Sequence, residues 1–511
     1  MQTVVLGNRV TIDLKKIGYA YLAAPIVVFL LFYIRSIIGI PVLLCMTIAY
    51  ACSFKKMRKR SELADEYLSI STGMLFVVGV ALLVWALLSG QAGLWYQSSD
   101  WDARNAIFRD LITHEWPVIY QSKNTALSYY IGHWMVPAAI GRAILPLFGL
   151  TITWRIARVA LLVWTWLGLM IVALLTMRFI RASSRKTQIL TTIFFIFFSG
   201  MDIVGAAIRL QIPTVFSADV LHLEWWNPFQ FSSISTCLFW AFNQAVAPWV
   251  ATVLFLQEKD SSNYILLLSG ALLCGPFPAL GLAFLMLFQF VGDIVARCFK
   301  SAKGEHISTM AGALREAFSF QNVLIAASVL IILVLYFLTN GAVTGGASGS
   351  AETSGAPQIT VELALQLFIL DAGIYLLLIG HEKKRNPIFY GIVTLLLICP
   401  FVRVGAGQDF TMRVSIPAIF TLMVFCLQMV VNQEGDGSSS YRFRRWLLVA
   451  CLILGMATPL TEIYRGYYHV MTPGDRTIAD WTVSFEKTER AINFESFEYE
   501  DTVFYKYVAA K

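Results

Sequence analysis

Ala126-Leu-Ser-Tyr-Tyr-Ile-Gly-His-Trp-Met-Val-Pro137-Ala-Ala-Ile-Gly141-Arg142-Ala-Ile-Leu-Pro146-Leu-Phe-Gly-Leu150 is apolar enough to be a membrane span and broken enough not to be one. Pro137 and Pro146 each remove a helix hydrogen bond, and Arg142 sets a charge where lipid would be. The reading of this stretch fixes the topology of all that follows. Basic residues gather at 55–60 (five), 178–186 (four), 297–303 (three), 383–385 (three) and 442–445 (three). Short basic loops face the cytoplasm. If 126–150 crosses, the first five oppose the other thirteen; if it dips and returns, or lies along the interface, all 18 share one side. The second arrangement is expected.

Composition points the same way. Of 511 residues, 57% are hydrophobic and 14% charged, against about 25% charged in soluble domains. The pattern predicts an all-α, polytopic transmembrane helical bundle. Spans are expected near 17–34, 37–54, 68–91, 154–178, 187–208, 238–257, 263–276, 278–297, 322–340, 363–380, 387–404, 414–432 and 445–462. That makes about 13 crossings in a multi-pass protein of the plasma membrane, with a cytoplasmic N-terminus and an extracytoplasmic C-terminus. Residues 1–462 are then a membrane bundle and 463–511 a short extracytoplasmic tail. The outer loops are 92–153, 209–237, 341–362 and 405–413, and the large first one carries amphipathic or re-entrant helices. The net charge of +7 sits in loops beside spans, so it argues for a lipid bilayer and not for nucleic acid. The eight cysteines show no metal-ligand spacing and read as packed thiols. No Walker A loop, HExxH, GxSxG or dinucleotide fingerprint is present.

Polar residues with chemical potential concentrate in the outer loops. Ser98-Ser99-Asp100-Trp101-Asp102-Ala103-Arg104 opens a segment in which Trp101, Ile107, Phe108, Leu111 and Ile112 recur near helical spacing. This predicts an amphipathic helix on the outer leaflet. Asp100 and Asp102 at its start are either helix caps or a general base or metal ligand. His222-Leu223-Glu224-Trp225-Trp226 combines paired indoles with His and Glu, which suits either a sugar platform or an interfacial aromatic belt. Arg403, Asp409 and Arg413 form a third group, either a phosphate-binding set or a surface ion pair. Asn243 and Gln244 read as hydrogen-bond partners between helices. Asp371 is a lone acidic residue inside a predicted span.

With these features placed, the chain resembles the GT-C superfamily of polytopic glycosyltransferases. The match rests on Asp100-Trp101-Asp102, followed by Asn105-Ala106-Ile107 and Trp116-Pro117-Val118, and on Tyr129-Tyr130-Ile131-Gly132-His133-Trp134 leading to Pro137-Ala138-Ala139. Two spans precede the acidic loop's own span where many members have one in total, and the C-terminal tail is smaller than a full outer domain. The resemblance implies inverting transfer of a sugar from a polyprenyl-phosphate donor to a cell-envelope glycan or lipid acceptor on the extracytoplasmic face. Asp100 or Asp102 would be the base, and Arg104, His222, Glu224, Trp225, Arg403, Asp409 and Arg413 would bind substrate. It names no certain cofactor and admits a divalent cation, Mg or Mn, at the leaving phosphate. A lipid-linked glycan polymerase or ligase, and a membrane transporter or flippase, remain the alternatives.

Overall fold

The structure is a computed structural model that describes residues 3–6, 10–61, 68–300, 306–344, 359–402, 404, 409–431, 438–472 and 482–511. Helices dominate. In chain order they are α1 (Leu14–Phe32), α2 (Ser36–Ser61), α3 (Thr72–Leu88), α4 (Asp100–Thr113), α5 (Gly132–Phe179), α6 (Arg185–Phe197) and α7 (Asp202–Ile208). Then come α8 (Ile234–Phe255), α9 (Tyr264–Leu272), α10 (Pro276–Lys300) and α11 (His306–Ala317). α12 (Phe320–Phe337), α13 (Val361–Lys383), α14 (Pro387–Phe401), α15 (Asp409–Val414), α16 (Ile416–Val431) and α17 (Ser439–Met471) follow. Among the described residues, eight helices are long and apolar enough to cross a membrane, or nine if the bent pair α6–α7 is one span. Three shorter apolar helices, α3, α14 and α16, run with them. The protein is a helical membrane bundle.

α8 is its pillar. Its apolar stretch is 94% buried inside the protein, so it reads as a helix that is apolar on every side. Helix ends are fixed by local side chains: Asp13 accepts from the Lys16 N–H at 3.3 Å, Ser71 from Met74 at 3.2 Å and Ser233 from Thr236 at 2.9 Å. These caps satisfy amides that a first helical turn leaves without partners. One end of the bundle gathers the basic residues. There Lys15 meets Glu258 at 3.1 Å, Lys56 meets Asp260 at 3.1 Å, and the Gln188 amide donates to Ser69 O at 2.8 Å.

The stretch 126–150 stays at the opposite end. At ~1.5 Å per residue, the 48 residues of α5 would be about twice too long for one span. Gly149, at φ 66° and ψ 173°, breaks the helix; a left-handed φ of this kind favours glycine. Pro137 and Pro146 lie within the helical run and do not end it. The first part folds back on the second, so that a Cβ on Gly141 would lie 3.3 Å from the Ala157 Cβ. Both parts pack on the same loop: Arg142 donates to the His114 carbonyl, Trp154 meets Phe108 with ring centroids 5.6 Å apart, and Arg158 rests on Gly93.

Three boundaries differ from the sequence expectation. The stretch 263–276 contains only the nine-residue α9, about 13 Å long and too short to cross alone. Residues 409–413, expected in a loop, form α15. The last helix passes residue 462 and runs to Met471, so the C-terminal tail starts later than expected.

The tail closes this end. A small sheet pairs Thr125–Leu127 with Ile119–Tyr120 and Glu495–Ser496. Glu495, fully buried, accepts from Thr125 Oγ1 at 2.7 Å and Lys123 Nζ at 3.1 Å. Asp110 accepts from Ser484 Oγ at 2.9 Å and the Phe485 N–H at 2.7 Å, and burial pushes its carboxyl above the usual range. Glu486 accepts the Ser122 N–H at 2.8 Å, which holds its carboxyl below the usual range. A depressed carboxyl contributes stability that is fully present above its unfolded value, about 4.3, and lost as pH falls through the folded value. Limited proteolysis of the tail between pH 6 and pH 3.5 is therefore expected to accelerate in acid. Glu486→Gln should flatten that dependence; an unchanged pH profile would exclude Glu486 as its source.

Candidate functional site

The site begins where α3 ends. Gly90, at φ 90°, turns the chain, and its carbonyl accepts the Gln97 amide at 2.8 Å. Gln97 in turn accepts from the Asn105 Nδ2 at 2.8 Å, which holds α4 against the turn. Trp101 then joins α4 to the pillar. α8 is broken at Ala241 (φ −140°, ψ 33°), and the Trp101 indole N–H donates to Phe239 O at 3.1 Å beside that break. The Trp101 ring also stacks on Phe242 with centroids 4.7 Å apart.

α4 is amphipathic as the spacing predicts, with Trp101, Ile107, Phe108, Leu111 and Ile112 buried. Its N-cap is Ser99, so neither Asp100 nor Asp102 is the cap; both lie in the first turn. They are not equivalent. Asp100 Oδ2 accepts from Arg104 Nη2 at 2.9 Å, with the Asp100 side chain 49% exposed and that of Arg104 only 5%. Arg104 Nε and Nη1 are buried with no partner among the described residues. Asp102 is exposed.

Two further segments meet this one. In α15, Asp409 pairs with Arg413 at 3.0 Å. The Arg413 guanidinium lies 6.0 Å from the centre of the Tyr130 ring and within range of the Asp100 charge. Met412 reaches the 209–237 loop, where its Sδ accepts from Gln230 Nε2 at 3.5 Å. A cavity of about 340 Å³ opens between Trp225, Asn227, Gln230, Asp409 and Met412. A second cavity of about 180 Å³ lies across the ion pair, between Tyr129, Tyr130, Phe277, Asn340, Arg413 and Phe494. Asp409 lines both. The larger cavity thus joins the 209–237 loop to α15, and the smaller one joins α15 to Tyr129 and Tyr130; residues 92–125, expected to share the cavity, line neither. Arg403 lies outside the described residues.

His222 and Glu224 stand behind the cavity wall rather than on it. His222 Nδ1 bonds Glu462 Oε1, and its Nε2 lies 3.9 Å from Glu224 Oε2. Glu462 also accepts from the Trp240 indole at 2.8 Å, and Arg465 stacks 4.4 Å from that indole's centre. Glu224 accepts from the Ser233 N–H at 2.6 Å and Gln230 Nε2 at 3.0 Å. Burial, with Asp202 nearby, pushes the Glu224 carboxyl above the usual range. The two indoles divide: Trp225 is 50% exposed, whereas Trp226 is buried and donates to Asp202 at 3.1 Å. Only Trp225 can offer a face to a ligand.

Sequence reasoning missed Gln230, Met412, Glu462 and Arg465. Glu462 and Arg465 close an apolar run three residues apart, and that charged pair at a span end was the available signal. Among the described residues, no group of three His, Cys, Asp or Glu is placed to hold a metal ion, so a resident Mg or Mn ion lacks a ligand set there. Comparison with protein-family models, curated proteins and solved structures returns no match for this chain.

Glu462→Ala is expected to destabilise the purified protein by about 3 kcal/mol, because it strips a buried histidine and indole of their acceptor. Glu462→Gln, which keeps the volume and one acceptor, should lose less. Thermal unfolding in detergent checks both, and equal midpoints for wild type and Glu462→Ala would refute the bridging role.

Proposed function

We propose that the protein is a GT-C-type glycosyltransferase that moves a sugar from a polyprenyl-phosphate donor to a glycan or lipid acceptor. In this reading it crosses the plasma membrane about 13 times, with its N-terminus cytoplasmic and its site and tail extracytoplasmic. The observation that carries the reading is a cavity in which Asp409, paired with Arg413, faces the exposed Trp225, with the Asp100–Arg104 pair within electrostatic range of Arg413. Base, cation and aromatic face are the three things that transfer of a phosphate-linked sugar needs.

The chemistry then runs as follows. The Asp100 carboxylate takes the proton of the acceptor hydroxyl as its oxygen attacks the anomeric carbon. The bond from that carbon to the phosphate oxygen breaks with inversion, and polyprenyl phosphate leaves with the electron pair. Arg413, and the unpartnered Nε and Nη1 of Arg104, offset the charge gathering on the phosphate. Trp225 packs against the sugar ring. Asp100 is preferred over Asp102 because it is the one paired with Arg104, whose remaining guanidinium nitrogens have no partner among the described residues.

Asp100→Asn is expected to lower transfer from a polyprenyl-phosphate sugar by about 100- to 10,000-fold with little change in thermal stability. Asp102→Asn should retain activity within a few fold. Full activity in both variants would remove the assignment's residue-level support.

The orientation has its own test. Gln121 and Arg155 are both exposed and flank the folded-back part of α5. In intact cells, Gln121→Cys and Arg155→Cys should both react with an impermeant thiol reagent added from outside. Protection of the Arg155 position alone would mean that the stretch crosses the membrane.

A further inference from the structure

Below the candidate site, three helices are irregular at one place. The span α6–α7 is bent by 42° at a break between Phe197 and Asp202. Facing it, α13 forms a π-turn at Ile369–Gly373, an irregularity common at functional positions. α17 passes with Gly455 so close that a Cβ there would lie 2.6 Å from Ser199 O and 3.0 Å from Gly200 O. Asp371 sits in the π-turn, midway along the 23 residues of α13.

Asp371 is 1% exposed, and neither carboxylate oxygen has a hydrogen-bond partner among the described residues. It abuts the break: a Cβ on Gly200 would lie 2.6 Å from the Asp371 Cα and Cβ and 2.7 Å from its Oδ1. Asp202, on the other side of the break, is fully served. It accepts from Ser199 Oγ at 3.0 Å, Thr458 Oγ1 at 2.7 Å and Trp226 Nε1 at 3.1 Å. The two carboxylates thus differ in what surrounds them, and an ionised Asp371 left bare at this depth would be heavily penalised.

We infer that Asp371 and the break at Ser199–Gly200 form a binding site for an alkali-metal cation. The oxygens there are of the kind a hard cation takes: the Asp371 carboxylate, the Ser199 and Thr458 hydroxyls, which keep lone pairs while donating to Asp202, and the Gly200 carbonyl at the break. Broken helices lend such carbonyls to small cations inside membrane proteins. The cation tethers α13 to the break, one residue from Asp202, and so to Trp226 and the wall of the cavity above. This site stands independently of the transferase reading.

The test is thermal unfolding of the purified full chain in detergent, titrated with NaCl or KCl at constant ionic strength against choline chloride. A saturable upward shift with either alkali ion is expected for wild type, as for any ligand bound only by the folded state. The shift should vanish in Asp371→Asn, a near-isosteric neutral replacement, and in Gly200→Ala, whose methyl would lie 2.6 Å from the Asp371 Cα and so force the break and α13 apart. A wild-type midpoint indifferent to the alkali ion overturns the inference, as does an undiminished shift in both variants. Loss of a carboxylic-acid band from the infrared spectrum of Asp371→Asn would also overturn it, since a proton would then neutralise the group. No outcome depends on sugar transfer.

Discussion

One indole N–H joins the amphipathic helix α4 to the buried pillar α8. The break in α8 at Ala241 leaves carbonyls without their helical donors, and Trp101 supplies one of them at Phe239. A buried carbonyl left bare costs about 1–3 kcal/mol, so pillar and surface helix each satisfy the other's need. The stacking of Trp101 on Phe242 then fixes the rotation of α4 about its axis. That rotation leaves Asp100 paired with the buried Arg104, its charge within range of Arg413. The reach between two segments about 300 residues apart in sequence therefore follows from how one buried helix is broken.

Buried acidic groups make up the second layer of the design. Glu462 gathers a histidine and an indole, Glu224 gathers an amide and a side-chain donor, and Asp202 gathers two hydroxyls and an indole. Each is a hub that ties helices otherwise joined only by apolar packing. In hydrocarbon, apolar packing gives little preference for one helix neighbour over another, whereas a carboxylate with fixed donors specifies which elements meet. Arg465, stacked on Trp240, extends the same logic through a cation on an aromatic face.

Much of the fold was legible because hydropathy and basic clusters are local signals. The folded-back character of 126–150 followed from its prolines and charge, yet the turn itself falls at Gly149. Both prolines remain helical, because lacking an amide hydrogen weakens a helix, while a positive φ ends it. The amphipathic face of α4 was legible for the same reason of short range. The roles of His222 and Glu224 were not: the partner that buries His222 lies 240 residues away, and nothing near the loop announces it. Residues two apart on a helix point about 200° away from each other, so Asp100 and Asp102 had to differ, but only the folded helix shows that Asp100 is the one paired with the buried Arg104.

The sheet and hydrogen bonds that seal the end of the bundle opposite Lys15 and Lys56 join very distant parts of the chain. Arg35 donates to the Ala509 carbonyl across 474 residues, and Phe494 lines the smaller cavity. At ribosomal speeds of roughly 5–20 residues per second, the first helical hairpin waits on the order of tens of seconds for this partner. Until then the loop at Tyr33–Arg35 has no strand to pair with, and the cavity has one wall fewer. Assembly of the bundle and completion of the site are thus separated in time. A chain halted before residue 494 can insert its helices and still lack the finished pocket.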